Sequence, residues 1–286
     1  MSDDRKESKW LERMKLKVYP QPEFMYLRYP VLLGHGFGSV AGVIKPAPLN
    51  DVCMLFRSHG IAAFAPNIVP YNTIEIRAQA WAEAIRHVMD VTKAPKVNVM
   101  AHSMAGLDFR YAISSLDEAK HIASLTTISS PHRGSSLADL ALSTPSRVRE
   151  AIVNVSNWLG ETIFPTSKSD VNGALEELTP SYTADIFNPA NPDHPEIDYF
   201  SFSAACGKGT TTNINKVLIP FNTYLFDHEG PNDGFVSRQS SNWGTRLATT
   251  NLSHNEQIKL NTYGKRAVVW REFWIDVVKN LQNAGL

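Results

Sequence analysis

The stretch VNVMAHSMAGLDFRY, residues 97–111, ends an apolar and β-branched run at Ser103. Small residues box this serine: Ala101 two before it, Ala105 two after it, and Gly106 next. A helical pattern starts immediately behind. Such a strand-to-helix turn holds a serine in strained backbone with its hydroxyl exposed, and the residues two before and two after must be small to clear the adjoining strand and helix. The common form has glycine at both flanking positions; alanine keeps the volume small. The chemistry this arrangement offers is nucleophilic, because a hydroxyl attacks a carbonyl carbon once a base takes its proton.

The base should be a histidine oriented by a carboxylate, and with this turn the chain order is Ser, then Asp or Glu, then His. There are nine histidines. His35, His59 and His87 precede the serine. His102 lies in the turn, and its side chain is expected to point away from the Ser103 hydroxyl. His121 and His132 bracket the next apolar run, and His194 sits in a proline-rich loop. His228 and His254 remain. The segment TNLSHNEQ puts His254 on a polar loop ahead of the last helix, where the base belongs. Asp233 lies in an Asn-Asp-Gly turn 21 residues before it; Asp227, beside an aromatic stretch, is the rival carboxylate. Acyl transfer also needs donors for an oxyanion. The N–H of Met104, the residue after the nucleophile, is one candidate; the glycine-rich loop GHGFGS supplies a second through Phe37 N–H.

These groups need a scaffold that brings them together, and the chain alternates strand and helix patterns from residue 29 onward. Short apolar runs fall at 29–37, 61–69, 96–103 and 122–130, with helical patterns at 48–60, 73–92 and 104–116. That rhythm implies a mostly parallel central sheet with helices on both faces. Ligands of such sheets bind beyond the carboxyl ends of the strands, where Ser103 would sit. The rhythm breaks over about 132–196, a helical and proline-bearing excursion, and resumes with the alternating run IDYFSFSAA. The tail RAVVWREFWIDVVKNLQ reads as an amphipathic helix. The economical organisation is an N-terminal extension, 1–28, and a single α/β domain, 29–286.

Composition narrows the partners. Lys plus Arg and Asp plus Glu both number 28, and a net charge of zero argues against a nucleic-acid partner, which would need a basic surface. No apolar stretch approaches a membrane span. The N-terminus is charged and lacks the apolar core of a signal peptide, so an intracellular location is expected. The two cysteines, Cys53 and Cys206, read as free thiols without metal-site spacing.

Four segments together resemble the bacterial true lipases, leaderless members of similar length included, and the related fungal triacylglycerol lipases: YPVLLGHGFGS, KVNVMAHSMAGLDFRYAISSL, IASLTTISSPHRGSSLADL and NDGFVSRQSSNWG. The likeness runs from about residue 29 to the C-terminus. It implies an α/β-hydrolase core, a triad of Ser103, Asp233 and His254, oxyanion donors at Phe37 and Met104, and a helical lid within 132–196. It implies a serine carboxylic-ester hydrolase, a lipase acting on acylglycerols with no cofactor and with transient contact to a lipid surface. The sequence departs from the family in three places. Alanines replace the glycines of the turn. The secreted bacterial members hold calcium through two aspartates, one lying two residues after the catalytic histidine; Glu256 stands there in this chain, and no acidic residue lies between Asp198 and Asp227. No calcium requirement is therefore expected. Finally, SHNEQIKL replaces the usual run of apolar and acidic residues after the histidine.

Within the excursion, 143–164 reads as an amphipathic helix opening at Thr144 and Pro145. It is either a helix packed on the core or a mobile lid that opens at a lipid surface. Two rival functions stay open. An intracellular carboxylesterase, thioesterase or acyltransferase could use the same machinery. A non-catalytic binding protein on the same fold is the rival from another class, and the intact Ser, His, Asp and glycine-rich loop argue against it.

Overall fold

The computed structural model describes residues 22–38, 47–144 and 169–286. Its six strands are β1 Val31–Gly34, β2 Ala63–Phe64, β3 Val97–His102, β4 Ile122–Ile128, β5 Asp198–Ala204 and β6 Thr245–Thr250. They form one sheet in the order β2-β1-β3-β4-β5-β6, and each adjacent pair is parallel. The chain thus moves outward from β1 to β2, then returns to the other flank of β1 as β3. At that reversal the loops leaving β1 and β3 lie side by side, with Gly34 in register with Ala101. A switch of direction of this kind opens the crevice that parallel sheets use for ligands.

Helices cover both faces, as the alternating sequence implies. Alternate side chains of the strands point to opposite sides. On one side Val31, Leu33, Met100 and Phe202 pack against α1 Asn50–Ser58 and the C-terminal helix Lys265–Asn283. Val52, Cys53 and Phe56 enter from α1; Trp270, Trp274, Val277 and Leu281 enter from the C-terminal helix. On the other side Leu32, Val97, Val99 and Ala101 meet α2 Ile74–Thr92 and α3 Ala105–Ser115 through Trp81, Ile85, Val88 and Phe109. The central strands β3 and β4 are buried along their whole length. That is why they are written as largely apolar and β-branched runs rather than as alternating ones, with the buried Ser124 donating to Asn98 Oδ1 at 2.8 Å between them. Burying each large apolar side chain contributes about 1.5–3 kcal/mol.

Between β4 and β5 lie α4 Ser136–Ser143, α5 Val171–Glu176 and a helical run over 180–190 that includes a π turn, Thr183–Phe187. The helix expected over 143–164 lies outside the described residues apart from Ser143 and Thr144. Further on come α6 Ile219–Glu229, the four-residue α7 His254–Gln257, and α8, the C-terminal helix Lys265–Asn283. Both cysteines are buried free thiols.

A buried ion pair ties the loop after β1 to this frame. Arg77 of α2 and Asp108 of α3 are both sealed from solvent and meet at 2.9 Å. The same guanidinium donates to the carbonyls of Val69 at 2.8 Å and His35 at 2.7 Å. Trp81 Nε1 completes the cluster by donating to Asp108 at 3.1 Å. A buried charge pair is tolerable only when such additional hydrogen bonds satisfy it. Here the surplus donors of Arg77 fix the backbone that runs beside Ser103.

Candidate active site

Ser103 follows directly on β3 and adopts φ of 59°, a left-handed conformation that a non-glycine residue holds only under constraint. The constraint is visible on both sides. Ser103 N–H donates to Ile128 O of β4 at 2.9 Å, and its own carbonyl accepts from Gly106 N–H at 3.1 Å. Ala101 and Ala105, flanking the turn, are wholly buried. Gly106 sits where a β-carbon would lie 2.3 Å from Ser130 Oγ. The demand for small residues is therefore steric, and alanine meets it at the two positions two residues away.

The loop after β1 closes over this turn. A β-carbon placed on Gly36 would lie 2.5 Å from Ser103 Cβ, 2.9 Å from Ser103 Oγ and 3.1 Å from Met104 N. The missing side chain leaves the space beside both the hydroxyl and the Met104 N–H. Met104 heads α3, whose first N–H groups have no helical partner. Phe37, the next residue in the loop, turns its ring edge-on to Tyr71 at 5.2 Å. Its side chain joins two apolar clusters, one with Ile74, Leu107 and Phe187, the other with Ala141 and Leu175. His35 behind it is buried, and burial, reinforced by the Arg77 charge, drives its pKa down to about 3. It is a neutral ring whose Nε2 accepts from Ile68 N–H at 3.1 Å.

Asp233 and His254 come together. His254 Nδ1 lies 2.8 Å from Asp233 Oδ2, and His254 N–H donates to Asp233 O at 3.0 Å. The other carboxylate oxygen, Oδ1, accepts the N–H groups of Phe235 at 3.1 Å and Val236 at 2.9 Å, so the Asn-Asp-Gly turn folds around its own acid. Burial alone would raise the Asp233 pKa. The facing His254 and these hydrogen bonds outweigh it and hold the carboxyl below its usual range. Ser103 is joined to this pair through its neighbour: the His102 ring packs against the His254 ring, tilted by 46° with centroids 4.4 Å apart. Phe235 lies 5.3 Å from the same ring and stacks in turn on Phe221.

The rival residues lie elsewhere. Asp227 is half-exposed and pairs with Lys208. His228 is bonded to Tyr224 O of its own helix, at 2.8 Å.

Glu256, at the position where a calcium ligand stands in the secreted lipases, is spoken for. Its Oε1 accepts from Arg266 Nε at 2.7 Å, and its Oε2 accepts from Arg266 Nη2 at 2.7 Å, Ser253 N–H at 2.8 Å and Ser253 Oγ at 2.9 Å. Burial pushes the Glu256 pKa up, but these hydrogen bonds prevail and hold it below its usual range. A guanidinium already balances the carboxylate, so the residues do not fit a cation. Among the described residues no group of three or more His, Cys, Asp or Glu side chains gathers to hold a metal.

Sequence reasoning reached Gly36 as part of the GHGFGS loop but did not reach two residues here: Gln257 and Arg266. A Ser-x-x-Glu pattern at Ser253 and Glu256 marks the start of α7. It places His254 and Gln257 on one helical face, three residues apart. Gln257 Nε2 donates to Asp233 Oδ2 at 3.0 Å.

No family model matches the chain. It is 29% identical over 225 residues to a triacylglycerol lipase 2 of Saccharomyces cerevisiae, covering 76% of this chain and 63% of the yeast protein, somewhat less than two thirds of that relative's length. It is 27% identical to a triacylglycerol lipase of Pseudomonas fragi over 297 aligned positions, covering 91% of this chain and 98% of that protein. Among solved structures, the mature lipase BlEst2 of Bacillus licheniformis superposes with a TM-score of 0.65 at 20% identity, over 90% of this chain and 96% of the other. The fold is that of the α/β-hydrolases.

Proposed function

We infer that the chain, which belongs to a lipase family of hydrolases, is a serine carboxylic-ester hydrolase acting on lipid esters. The observation that carries this is the buried Asp233–His254 pair at 2.8 Å, set against the positive-φ serine that follows β3. Ser103 Oγ attacks the ester carbonyl as His254 Nε2 takes its proton. Asp233 accepts the Nδ1–H and stabilises the imidazolium. The N–H groups of Met104 and Phe37 receive the oxyanion in the space that Gly36 leaves open. His254 then protonates the departing alcohol, and water repeats the sequence on the acyl-enzyme.

The deciding experiment compares emulsified long-chain triacylglycerol with a soluble short-chain ester. Turnover of the emulsion supports a lipase. Turnover confined to the soluble ester would make the protein a carboxylesterase. No helix among the described residues is long and apolar enough to cross a membrane.

Two further outcomes follow. Gly36→Ala should lower kcat/KM by about 10²–10³-fold, the size of losing an oxyanion donor, because the new methyl fills the space beside Ser103 Oγ and Met104 N. Its KM for a soluble ester should change little; a variant of normal kcat would place the oxyanion elsewhere. A chelator should leave activity and Tm unchanged, since Arg266 already neutralises Glu256 and calcium needs several free oxygen ligands. A loss restored by added calcium would show that other residues hold the ion.

A further inference from the structure

We propose that His102 and Gln257 form a positioning bridge that joins the nucleophile's strand to the acid and base of the proposed triad, an inference that rests on that triad. His102 immediately precedes Ser103. Gln257 lies one helical turn after His254. Gln257 Oε1 meets His102 Nε2 at 3.1 Å, and Gln257 Nε2 meets Asp233 Oδ2 at 3.0 Å. The Gln257 backbone carbonyl accepts both indole N–H groups of α8, Trp270 and Trp274, each at 2.9 Å. One residue is thus anchored to the core helix at its backbone and to the site at its side chain. Gln257 is wholly buried, and His102 nearly so.

The chemistry of the donors sets every proton in the bridge. An ionised carboxylate only accepts, so the Gln257 amide must turn its NH2 to Asp233. Its oxygen then faces His102, which must carry its proton on Nε2 to donate. That leaves Nδ1 bare, and His102 Nδ1 has no hydrogen-bond partner. Burial, and then the adjacent His254, hold the His102 pKa well below its usual value, consistent with a ring that stays neutral. Asp233 Oδ2 and, at 3.4 Å, Leu252 O hold the amide NH2 in place, and His102 supplies the donor that Oε1 receives. Without that donor a buried amide oxygen is left unsatisfied and the amide is less firmly seated against Asp233.

The bridge also tunes the acid. Asp233 Oδ2 accepts from both His254 and Gln257. Sharing that oxygen weakens its hold on the imidazolium. Among the described residues, the titratable groups in contact with His254 are Asp233 and His102; Cys206 feels the charges of Asp233, Glu256 and Arg266. Removing the Gln257 donor leaves Oδ2 to the histidine alone. A higher pH is then needed to free the base, and the acidic limb of kcat/KM moves up.

The test uses the full chain with Gln257→Leu, Gln257→Glu, His102→Phe and the Leu/Phe double variant, with Ser103→Ala in parallel. Gln257→Leu should lose about 10- to 100-fold in kcat, the scale of one hydrogen bond to a charged group, with KM little changed. Its acidic limb should rise by about half a pH unit or more. Gln257→Glu, nearly the same shape, keeps an acceptor for His102; wholly buried against the Asp233 carboxylate it takes up a proton and donates it to Oδ2 in place of the amide, so it should hold the limb nearer the parent's than Gln257→Leu does. His102→Phe keeps a ring against His254 but removes the donor at Oε1, and should move the limb in the same direction by less. The double variant should be no worse than Gln257→Leu, because both act through one amide. A lower Tm with an unmoved limb in all variants would reduce the bridge to packing and overturn the proposal. Effects that multiply in the double variant would overturn it equally. If Ser103→Ala stays active, the triad reading fails first; if it is dead while Gln257→Leu and Gln257→Glu behave as the parent, only the bridge fails.

Discussion

Ser103→Ala should eliminate turnover of every ester and all labelling by a fluorophosphonate probe, while leaving Tm within about a degree of the parent. The expected loss in kcat is on the order of 10⁶-fold, the size found when a nucleophile of this class is removed while the rest of the site stays intact. The structure supports so clean a separation. The side chain is only partly buried, and the turn is held by backbone bonds to Ile128 and Gly106 that alanine keeps. The positive φ is a strain that serine already bears and that alanine would bear equally. Nothing in the core depends on the hydroxyl. Stoichiometric labelling that survives the substitution would sink the assignment, and a large fall in Tm would mean that the turn depends on the hydroxyl after all.

What the sequence revealed and what it hid divide along physical lines. Strand β3 was legible because it is buried on both faces, which makes its run mostly apolar apart from Asn98 and His102, and because the turn beyond it tolerates only small residues. The helix over 73–92 announced itself by Trp81, Ile85 and Val88 on one face, and these are the residues it buries. Strand β6, Thr245–Thr250, escaped notice. It is an edge strand paired only to β5, it is polar, and none of its residues is buried, so no hydrophobic period marks it. Strand β2 shrinks to two residues within an apolar run of nine, because only Ala63 and Phe64 pair with β1. The spacing of Asp233 and His254 was readable from motif order. Gln257 was not, since a glutamine near a histidine carries no chemical signature until the fold puts an acid on one side of it and a second histidine on the other. His102 was expected only to point away from the Ser103 hydroxyl, and its partners were not foreseen. Its ring is in fact packed on His254, because β3 delivers alternate side chains to opposite faces and α7 rests on the face that receives His102.

Asp233→Asn should cost about 10⁴-fold in kcat, the size expected when the histidine is held in the wrong tautomer, and the surrounding bonds say why a change of one atom is so severe. The oxygen facing Phe235 and Val236 accepts two backbone N–H groups. An asparagine must therefore keep its oxygen on that side and turn its NH2 toward His254 and Gln257. Both of those groups are donors in the parent. His254 can meet an NH2 only by surrendering the proton on Nδ1, which moves it to Nε2, the nitrogen that must accept from Ser103. The substitution leaves the geometry in place and reverses the proton. Neither nearby carboxylate can stand in: Asp227 is paired with Lys208 at the surface, and Glu256 is held by Arg266 and Ser253. Asp233→Ala sets up the opposite comparison. It deprives two backbone donors and Gln257 of their acceptor, at about 1–3 kcal/mol for an unsatisfied buried group, yet it imposes no tautomer on His254 and leaves room for water. Stability should therefore rank parent, then asparagine, then alanine, whereas kcat for the asparagine variant should be no higher than for alanine. Tm and kcat measured on the same three proteins decide it. A loss below about 10-fold in the asparagine variant, far short of a triad defect, would remove Asp233 from the reaction. An activity order that simply follows stability would show that the carboxylate serves the fold rather than the tautomer.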